Sequence, residues 1–99
     1  MLEKQLNENF GKKVRTERER SGISLRKLAS LLEMSPSYLS KLERGLVAPP
    51  SDKFIEQISE ILDIDKDSLM ASAGKVSSDV VSKIIKNPEI AERIRTNSY

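Results

Sequence analysis

The segment at residues 35–45, SPSYLSKLERG, carries its own signals for starting and stopping a short helix. Serine is a preferred N-cap residue, and proline suits the first helical turn, where its missing N–H costs no hydrogen bond. Leu39 and Leu42 stand three residues apart, which places them on one helix face, and Gly45 is a typical C-terminal stop. We therefore predict a helix at about residues 36–44 with its leucines buried and its other face exposed.

Similar signals recur along the first three quarters of the chain, where apolar residues follow helical spacing and no alternating strand pattern occurs. We predict an all-α fold of five short helices ending near Gly74, with the second at about residues 24–33. The residues expected to cap the other helices are Asn7 for the first, which runs to about Arg20, Ser51 for the fourth, and Asp65 or Asp67 for the fifth. These helices make up a predicted first domain at residues 1–74.

Residues 75–99 are predicted to form a second unit, a helical pair interrupted at Asn87-Pro88. The segment is too apolar for a solvated tail, and helices this short are not stable alone. They must pack on the body or on a second copy, and we expect a dimerisation element of a homodimer. The apolar residues that would form it are Val80, Val81, Ile84, Ile85, Ile90 and Ile94.

The composition argues against several classes of function. The chain has neither cysteine nor histidine, which removes thiolate chemistry, the commonest general base and the commonest metal ligand. The acids of residues 63–67 imitate the start of a calcium loop, but Ser68 and Gly74 stand where that loop needs glycine and glutamate. We expect these acids to cap the fifth helix, and we expect no enzyme, no metal and no cofactor.

Charge is distributed unevenly, although the net charge is only +2. Residues 1–45 hold ten Lys/Arg against six Asp/Glu, whereas residues 46–74 hold two against six. A basic N-terminal half indicates an anionic partner, while a merely solvated face is the alternative. No apolar run approaches the length of about 18 residues that spans a membrane, so we expect a soluble cytoplasmic protein without membrane contact.

Only Glu33-Met34 separates the second and third predicted helices, so the two helices must cross steeply. Ala29 is small where the helices would approach, and the residues expected inside are Leu28, Leu32, Leu39 and Leu42. The third helix would then expose Ser37, Ser40, Lys41 and Arg44. An exposed helix with small polar and cationic side chains fits the major groove of duplex DNA.

The stretch VRTERERSGISLRKLASLLEMSPSYLSKLERGLVAPPS resembles the lambda-repressor-like helix-turn-helix domains, the group of phage repressors, Cro and XRE-type proteins. The resemblance covers about residues 10–74. It implies a DNA-binding domain whose third helix enters the major groove of double-stranded DNA. It also implies an internal ion pair between Arg18 and Glu43 that ties the first helix to the third.

The resemblance assigns DNA-contacting roles to positions on the second and third helices. Ser35 is expected chiefly as a helix cap, and Tyr38 either packs at the edge of the core or donates its hydroxyl to phosphate. The full set of expected DNA-contacting residues is Ser24, Arg26, Ser35, Pro36, Ser37, Tyr38, Ser40, Lys41 and Arg44.

The chain departs from the family pattern at three places. Glu33 stands where the turn often has glycine, and Leu25 stands where a polar residue often holds a phosphate, so that Ser24 or Arg26 must serve. Residues 46–48 are apolar where a basic loop often follows the DNA backbone.

The implied function is a sequence-specific transcriptional regulator, expected to be a repressor and a homodimer. The alternative is an antitoxin-like or adaptor protein whose main partner is another protein, with DNA binding secondary.

Overall fold

The computed structural model describes residues 2–75, which form five helices and contain no strand. The helices are α1 (Leu2–Arg20), α2 (Leu25–Leu31), α3 (Pro36–Glu43), α4 (Asp52–Leu62) and α5 (Lys66–Ser72). This confirms the predicted all-α body of five helices. The predicted C-terminal helical pair lies outside the described residues.

The start of α1 differs from the prediction, because the helix begins at Leu2 and passes through Asn7 without a break. Residues 2–5 are leucine, glutamate, lysine and glutamine, which are all good helix formers. With no proline or glycine before Asn7 to stop it, the helix extends toward the N-terminus past the expected cap. The earlier start adds Leu2 and Leu6 to the surface of α1, and Leu2 remains 71% exposed.

One hydrophobic core joins all five helices. α1 contributes Phe10 and Val14, both fully buried, and it packs against α3, α4 and α5. Burying one large aliphatic or aromatic side chain stabilises the fold by about 1.5–3 kcal/mol. The remaining buried apolar residues are Leu28, Ala29, Leu32, Leu39, Leu42, Ile55, Ile58, Leu62, Leu69, Met70 and Ala73.

Side-chain caps start three of the five helices. The hydroxyls of Ser24 and Ser35 accept hydrogen bonds from the amides of Lys27 and Tyr38, at 3.1 and 3.0 Å. Asp65 accepts from the amide of Ser68 at 2.8 Å. The expectation for Ser51 was wrong in part, because it precedes α4 but its side chain makes no capping hydrogen bond.

All five helices end in the same way, with a left-handed residue whose following amide donates to the carbonyl five residues back. The hydrogen bonds run from Ile23 to Arg18, Met34 to Ala29, Leu46 to Lys41, Ile64 to Ser59 and Lys75 to Met70, at 2.9–3.2 Å. The left-handed residues are Gly22, Glu33, Gly45, Asp63 and Gly74. Glycine is the usual residue here because a side chain strains this conformation. Asp63 therefore ends α4 and does not cap α5.

Glu33 adopts a left-handed conformation, with φ +55°, that favours glycine. Replacing Glu33 with glycine is therefore expected to stabilise the protein. Relief of the left-handed strain should raise the free energy of unfolding by up to about 1 kcal/mol. Urea midpoints measure the change. Ser30→Gly, an exposed helical position one turn earlier, is the control and should lower stability by about 0.5–1 kcal/mol. A loss of stability in Glu33→Gly would contradict the strain.

Among residues 2–75, no helix combines the length and the apolar character needed to cross a bilayer. The acids of residues 63–67 are likewise not arranged as a metal site: within the described part of the chain, no three acidic side chains come together to hold an ion.

Candidate nucleic-acid interface

Helices α2 and α3 cross at a tight turn, and the residues that face the crossing are small or aliphatic. Ala29 is fully buried, and α2 and α3 are in contact. The residues expected inside, Leu28, Leu32, Leu39 and Leu42, are all buried. Because these side chains hold one face of α3 inside the core, the opposite face is presented to solvent.

The exposed face of α3 collects small polar and cationic side chains. Pro36, Ser37, Lys41 and Arg44 are exposed, and Ser40 is partly buried. Arg44 lies at the C-terminal end of the helix, where its Nε donates to the carbonyl of Ser40 at 3.3 Å. The surface therefore presents two positive charges beside small side chains that leave space for a partner.

Two residues expected to contact DNA have structural contacts of their own. The hydroxyl of Ser35 is the N-cap of α3, and the hydroxyl of Ser24 is the N-cap of α2. Tyr38 follows in the first turn of α3 and is 37% exposed, so neither of its two expected roles is ruled out by burial. Capping fixes where α2 and α3 begin, and thereby which side chains reach outward.

The first turn of α2, which precedes α3 in the sequence, carries two further cations. Arg26 and Lys27 are both exposed. Leu25, which stands where the family often has a phosphate-binding residue, instead packs against the hydrophobic core. Lys27 was not among the residues expected from the sequence, and its exposure next to Arg26 makes it a further candidate for phosphate contact.

A nearly buried ion pair links α1 to the end of α3. The guanidinium of Arg18 donates to both carboxylate oxygens of Glu43, from Nε at 2.7 Å and from one terminal nitrogen at 3.0 Å. The other terminal nitrogen donates to the carbonyl of Ile23 at 2.9 Å. The Arg18 and Glu43 side chains are 12% and 4% exposed. The bidentate pair thus fixes both the direction of α3 and the loop before α2.

The ion pair also shifts the pKa of Arg18. The hydrogen bonds from its guanidinium to Glu43 raise the pKa of Arg18 above its ordinary value, against an opposing effect of burial. The contribution of the Arg18 charge to stability is therefore fully present below the unfolded-state pKa of arginine and is lost as pH rises through the higher folded-state pKa. Arg18 thus keeps its positive charge at neutral pH.

Two glycines allow this close packing, a role that their sequence context does not indicate. A Cβ added to Gly11 on α1 would lie 2.3 Å from the carbonyl oxygen of Leu42 and 2.6 Å from that of Glu43. A Cβ added to Gly45 would lie 2.7 Å from Cα of Glu8. The last turn of α3 and the residue after it therefore rest directly on the backbone of α1. The absence of any apolar pattern at Gly11 left no local signal for this contact.

The loop after α3 is apolar and only partly packed. Gly45, at φ +73°, turns the chain, and the amide of Leu46 donates to the carbonyl of Lys41 at 2.9 Å. Leu46 remains 61% exposed, whereas Val47 packs against the core. The loop thus carries no positive charge next to α3, so that the cations near this end of the surface are Lys41 in α3 and Arg44 at its C-cap.

A family model described as a helix-turn-helix domain matches residues 9–73 of the chain. The HTH-type transcriptional regulator SinR of Bacillus licheniformis is 33% identical over 70 residues, which are 71% of this chain and 63% of SinR. The chain thus spans less than two thirds of the length of this relative.

Two solved structures show the same fold at appreciable sequence identity. The clp gene regulator ClgR from C. glutamicum aligns with a TM-score of 0.60 and 32% identity, covering 70% of this chain and 88% of that chain. SinR in complex with DNA aligns with a TM-score of 0.56 and 37% identity, covering 61% of this chain and 95% of that chain.

Proposed function

The chain belongs to the lambda-repressor-like helix-turn-helix family, and from this premise we propose that it is a sequence-specific DNA-binding transcriptional regulator. Its partner is double-stranded DNA, with α3 inserted in the major groove. We propose further that it acts as a repressor in the cytoplasm. Regulators of this family are not enzymes, and the proposed mechanism needs only binding.

The observation that carries the proposal is the exposed face of α3. The eight residues of α3 span about 12 Å, and their outward side chains are short apart from Lys41 and Tyr38, with Arg44 following at the C-cap. The major groove of B-DNA is about 12 Å wide and admits a helix of this size. The buried leucines, the Ser35 cap and the Arg18–Glu43 pair together hold the helix in a fixed orientation, which base recognition requires.

The outward residues suggest how sequence is recognised. Arginine, asparagine and glutamine, which bind guanine or adenine through two hydrogen bonds, are missing from the outward positions of the first turns of α3. Lys41 can donate to guanine, and Ser37 and Ser40 can pair with several bases. We therefore propose that DNA shape and the spacing of two half-sites contribute much of the specificity.

The proposal includes a homodimer, because one short recognition helix contacts few base pairs and operators in this class are two-fold symmetric. We assign dimerisation to the C-terminal segment, through Val80, Val81, Ile84, Ile85, Ile90 and Ile94. Sedimentation of the full chain at micromolar concentration tests this assignment. A monomer both free and on DNA would contradict it.

Selection of bound duplexes from a random DNA pool is the direct test of the proposed function. We expect an enriched sequence with two symmetric half-sites, bound more weakly as salt increases, because phosphate contacts release counterions. Failure to enrich any sequence, together with tight binding to a protein partner, would favour the alternative of an adaptor or antitoxin-like protein.

Two substitutions, one in α3 and one at its C-cap, separate base recognition from phosphate contact. Lys41→Ala is expected to weaken binding to the selected site by about 1–3 kcal/mol and to relax the preference at one base position. Arg44→Ala is expected to weaken all sequences about equally and to reduce the slope of log affinity against log salt by about one unit. Titrations at several salt concentrations measure both effects.

Lys66→Ala is the matched control for these variants. Lys66 begins α5, which packs on α1 and α4, and it lies in the acidic part of the sequence. Its removal should leave affinity and salt slope nearly unchanged. If the Lys41 and Arg44 variants bind like the parent, α3 does not carry the recognition surface.

A further inference from the structure

A groove of about 320 Å³ lies between the first turns of α1, the loop before α4 and the end of α5. It is lined by Glu3, Leu6, Asn7, Ala48, Pro49 and Ala73. Leu2 lies one helical turn before Leu6 and is 71% exposed. None of these residues is among those expected to contact DNA, although Ala48 ends the apolar loop that follows α3.

The chain leaves the described body at the rim of this groove. A Cβ added to Gly74 would lie 2.9 Å from Cδ1 of Leu6, so the backbone after α5 rests against the groove wall. The ammonium group of Lys75 donates to the carbonyl of Pro50 and to Asp52, both at 3.0 Å. Residues 76–99 therefore start from a point that is anchored next to the groove.

The described body leaves the first apolar side chain of α1, Leu2, exposed. The helix starts at Leu2, well before the part that packs on α3 through Gly11. Short helical segments gain most of their stability from packing of an apolar face. Leu2, Leu6 and the lining of the groove offer such an apolar face. Lys75 is held beside this face by its contacts with Pro50 and Asp52.

The sequence after Lys75 complements the groove. Val80, Val81, Ile84 and Ile85 recur at helical spacing, and lysines flank Ile84 and Ile85 on both sides. Val80 is five residues beyond Lys75, within about 17 Å of extended chain.

We propose that residues 76–99 dock in this groove of their own chain through the apolar face formed by Val80, Val81, Ile84 and Ile85. On a helix this face spans about 140°, which is wide enough to contact the groove on one side and a second copy on the other. Docking in the groove is therefore compatible with the proposed dimer, and it does not depend on DNA binding.

Disulfide trapping in the full chain tests the proposal, because the protein contains no cysteine of its own. Ala48→Cys places a thiol at an exposed small residue of the groove. It is combined in turn with a cysteine at Val80, Val81, Ile84 or Ile85. We expect at least one pair to form an intrachain disulfide in most molecules, at a yield independent of protein concentration, since bridged residues must lie within about 7 Å.

Ser82→Cys combined with Ala48→Cys is the matched control, because on the same helix residue 82 falls outside the apolar face, about 130° from its centre. It should remain reduced. Interchain disulfides that dominate at every position, equal trapping of residue 82, or no trapping at all would each overturn the proposal. DNA affinity of the same variants is measured alongside, so that failure of docking is distinguished from failure of the proposed function.

Hydrogen exchange gives a second readout that does not depend on cysteine geometry. Ile84→Asp in the full chain is expected to speed amide exchange at residues 2–9 of α1, while α3 keeps its protection. Ser82→Asp is the control and should leave both unchanged. Unchanged exchange at residues 2–9 in Ile84→Asp would overturn the proposal.

Discussion

Replacing Gly11 with alanine is expected to lower the free energy of unfolding by about 2 kcal/mol, although the same change favours most helices. Alanine is better than glycine inside a helix by about 1 kcal/mol. Here the new Cβ would lie 2.3 Å from the carbonyl oxygen of Leu42 and 2.8 Å from the carbonyl carbon of Glu43. These are backbone atoms that cannot rotate away, so α1 and α3 must separate, and overpacking of this kind costs roughly 1–3 kcal/mol or more.

The displacement of α3 should also reach the recognition surface. The atoms that clash with Gly11→Ala belong to the turn before Arg44, and Glu43 in that turn holds the ion pair. We therefore expect weaker DNA binding even at temperatures where the variant is folded. Asn9→Ala, at an exposed site on the same helix, is the control and should be neutral or slightly stabilising. Thermal or urea unfolding decides, and a stabilised Gly11→Ala would refute the close helix contact.

Loss of one partner of the Arg18–Glu43 pair is expected to cost about 3 kcal/mol. Glu43→Ala leaves the Arg18 charge nearly buried with only the carbonyl of Ile23 to accept from it. An unpaired charge of this kind typically costs 3–5 kcal/mol, whereas replacing both partners with apolar residues is often much milder. We therefore expect the double variant Arg18→Met/Glu43→Leu to be more stable than Glu43→Ala. Urea midpoints at unchanged slope report these differences.

The exposed pair of Arg15 and Glu19 on the same helix is the matched control. Its Nε–Oε1 distance is 2.9 Å, close to the 2.7 Å of the Arg18–Glu43 pair, but its side chains are 60% and 56% exposed. An exposed pair one helical turn apart contributes only about 0.3–0.5 kcal/mol, so Glu19→Ala should shift the midpoint little. Equal small shifts for Glu19→Ala and Glu43→Ala would contradict the structural role of the Arg18–Glu43 pair.

Local chemistry made several helix ends predictable from the sequence. Ser24, Ser35 and Asp65 cap helices because their side chains reach amides three residues away, and this contact needs no other part of the chain. The glycines at positions 22, 45 and 74 stop helices because only glycine adopts a positive φ without strain. The buried leucines of α2 and α3 followed from spacing alone, and with them the outward position of Lys41 and Arg44.

At other positions the local sequence favoured a different conformation or none, and only the tertiary structure determined the one adopted. Asn7 is a good cap by composition, but α1 continues through it to Leu2. Asp63 adopts a left-handed conformation at φ +53° that its sequence context did not indicate. In such cases the difference between alternative local conformations is about 1 kcal/mol, so packing of neighbouring helices is enough to reverse the preference.

The sequence by itself determined that residues 2–75 form helices and no strand, where α2 and α3 lie, and which side of α3 is exposed. These properties depend on hydrogen bonds and apolar spacing within a few residues. The close contact of Gly11 with residues 42 and 43, and the burial of the Arg18–Glu43 pair, were decided by the tertiary structure. Both contacts join residues more than twenty positions apart in the sequence. A local sequence pattern does not indicate how closely two helix backbones approach each other.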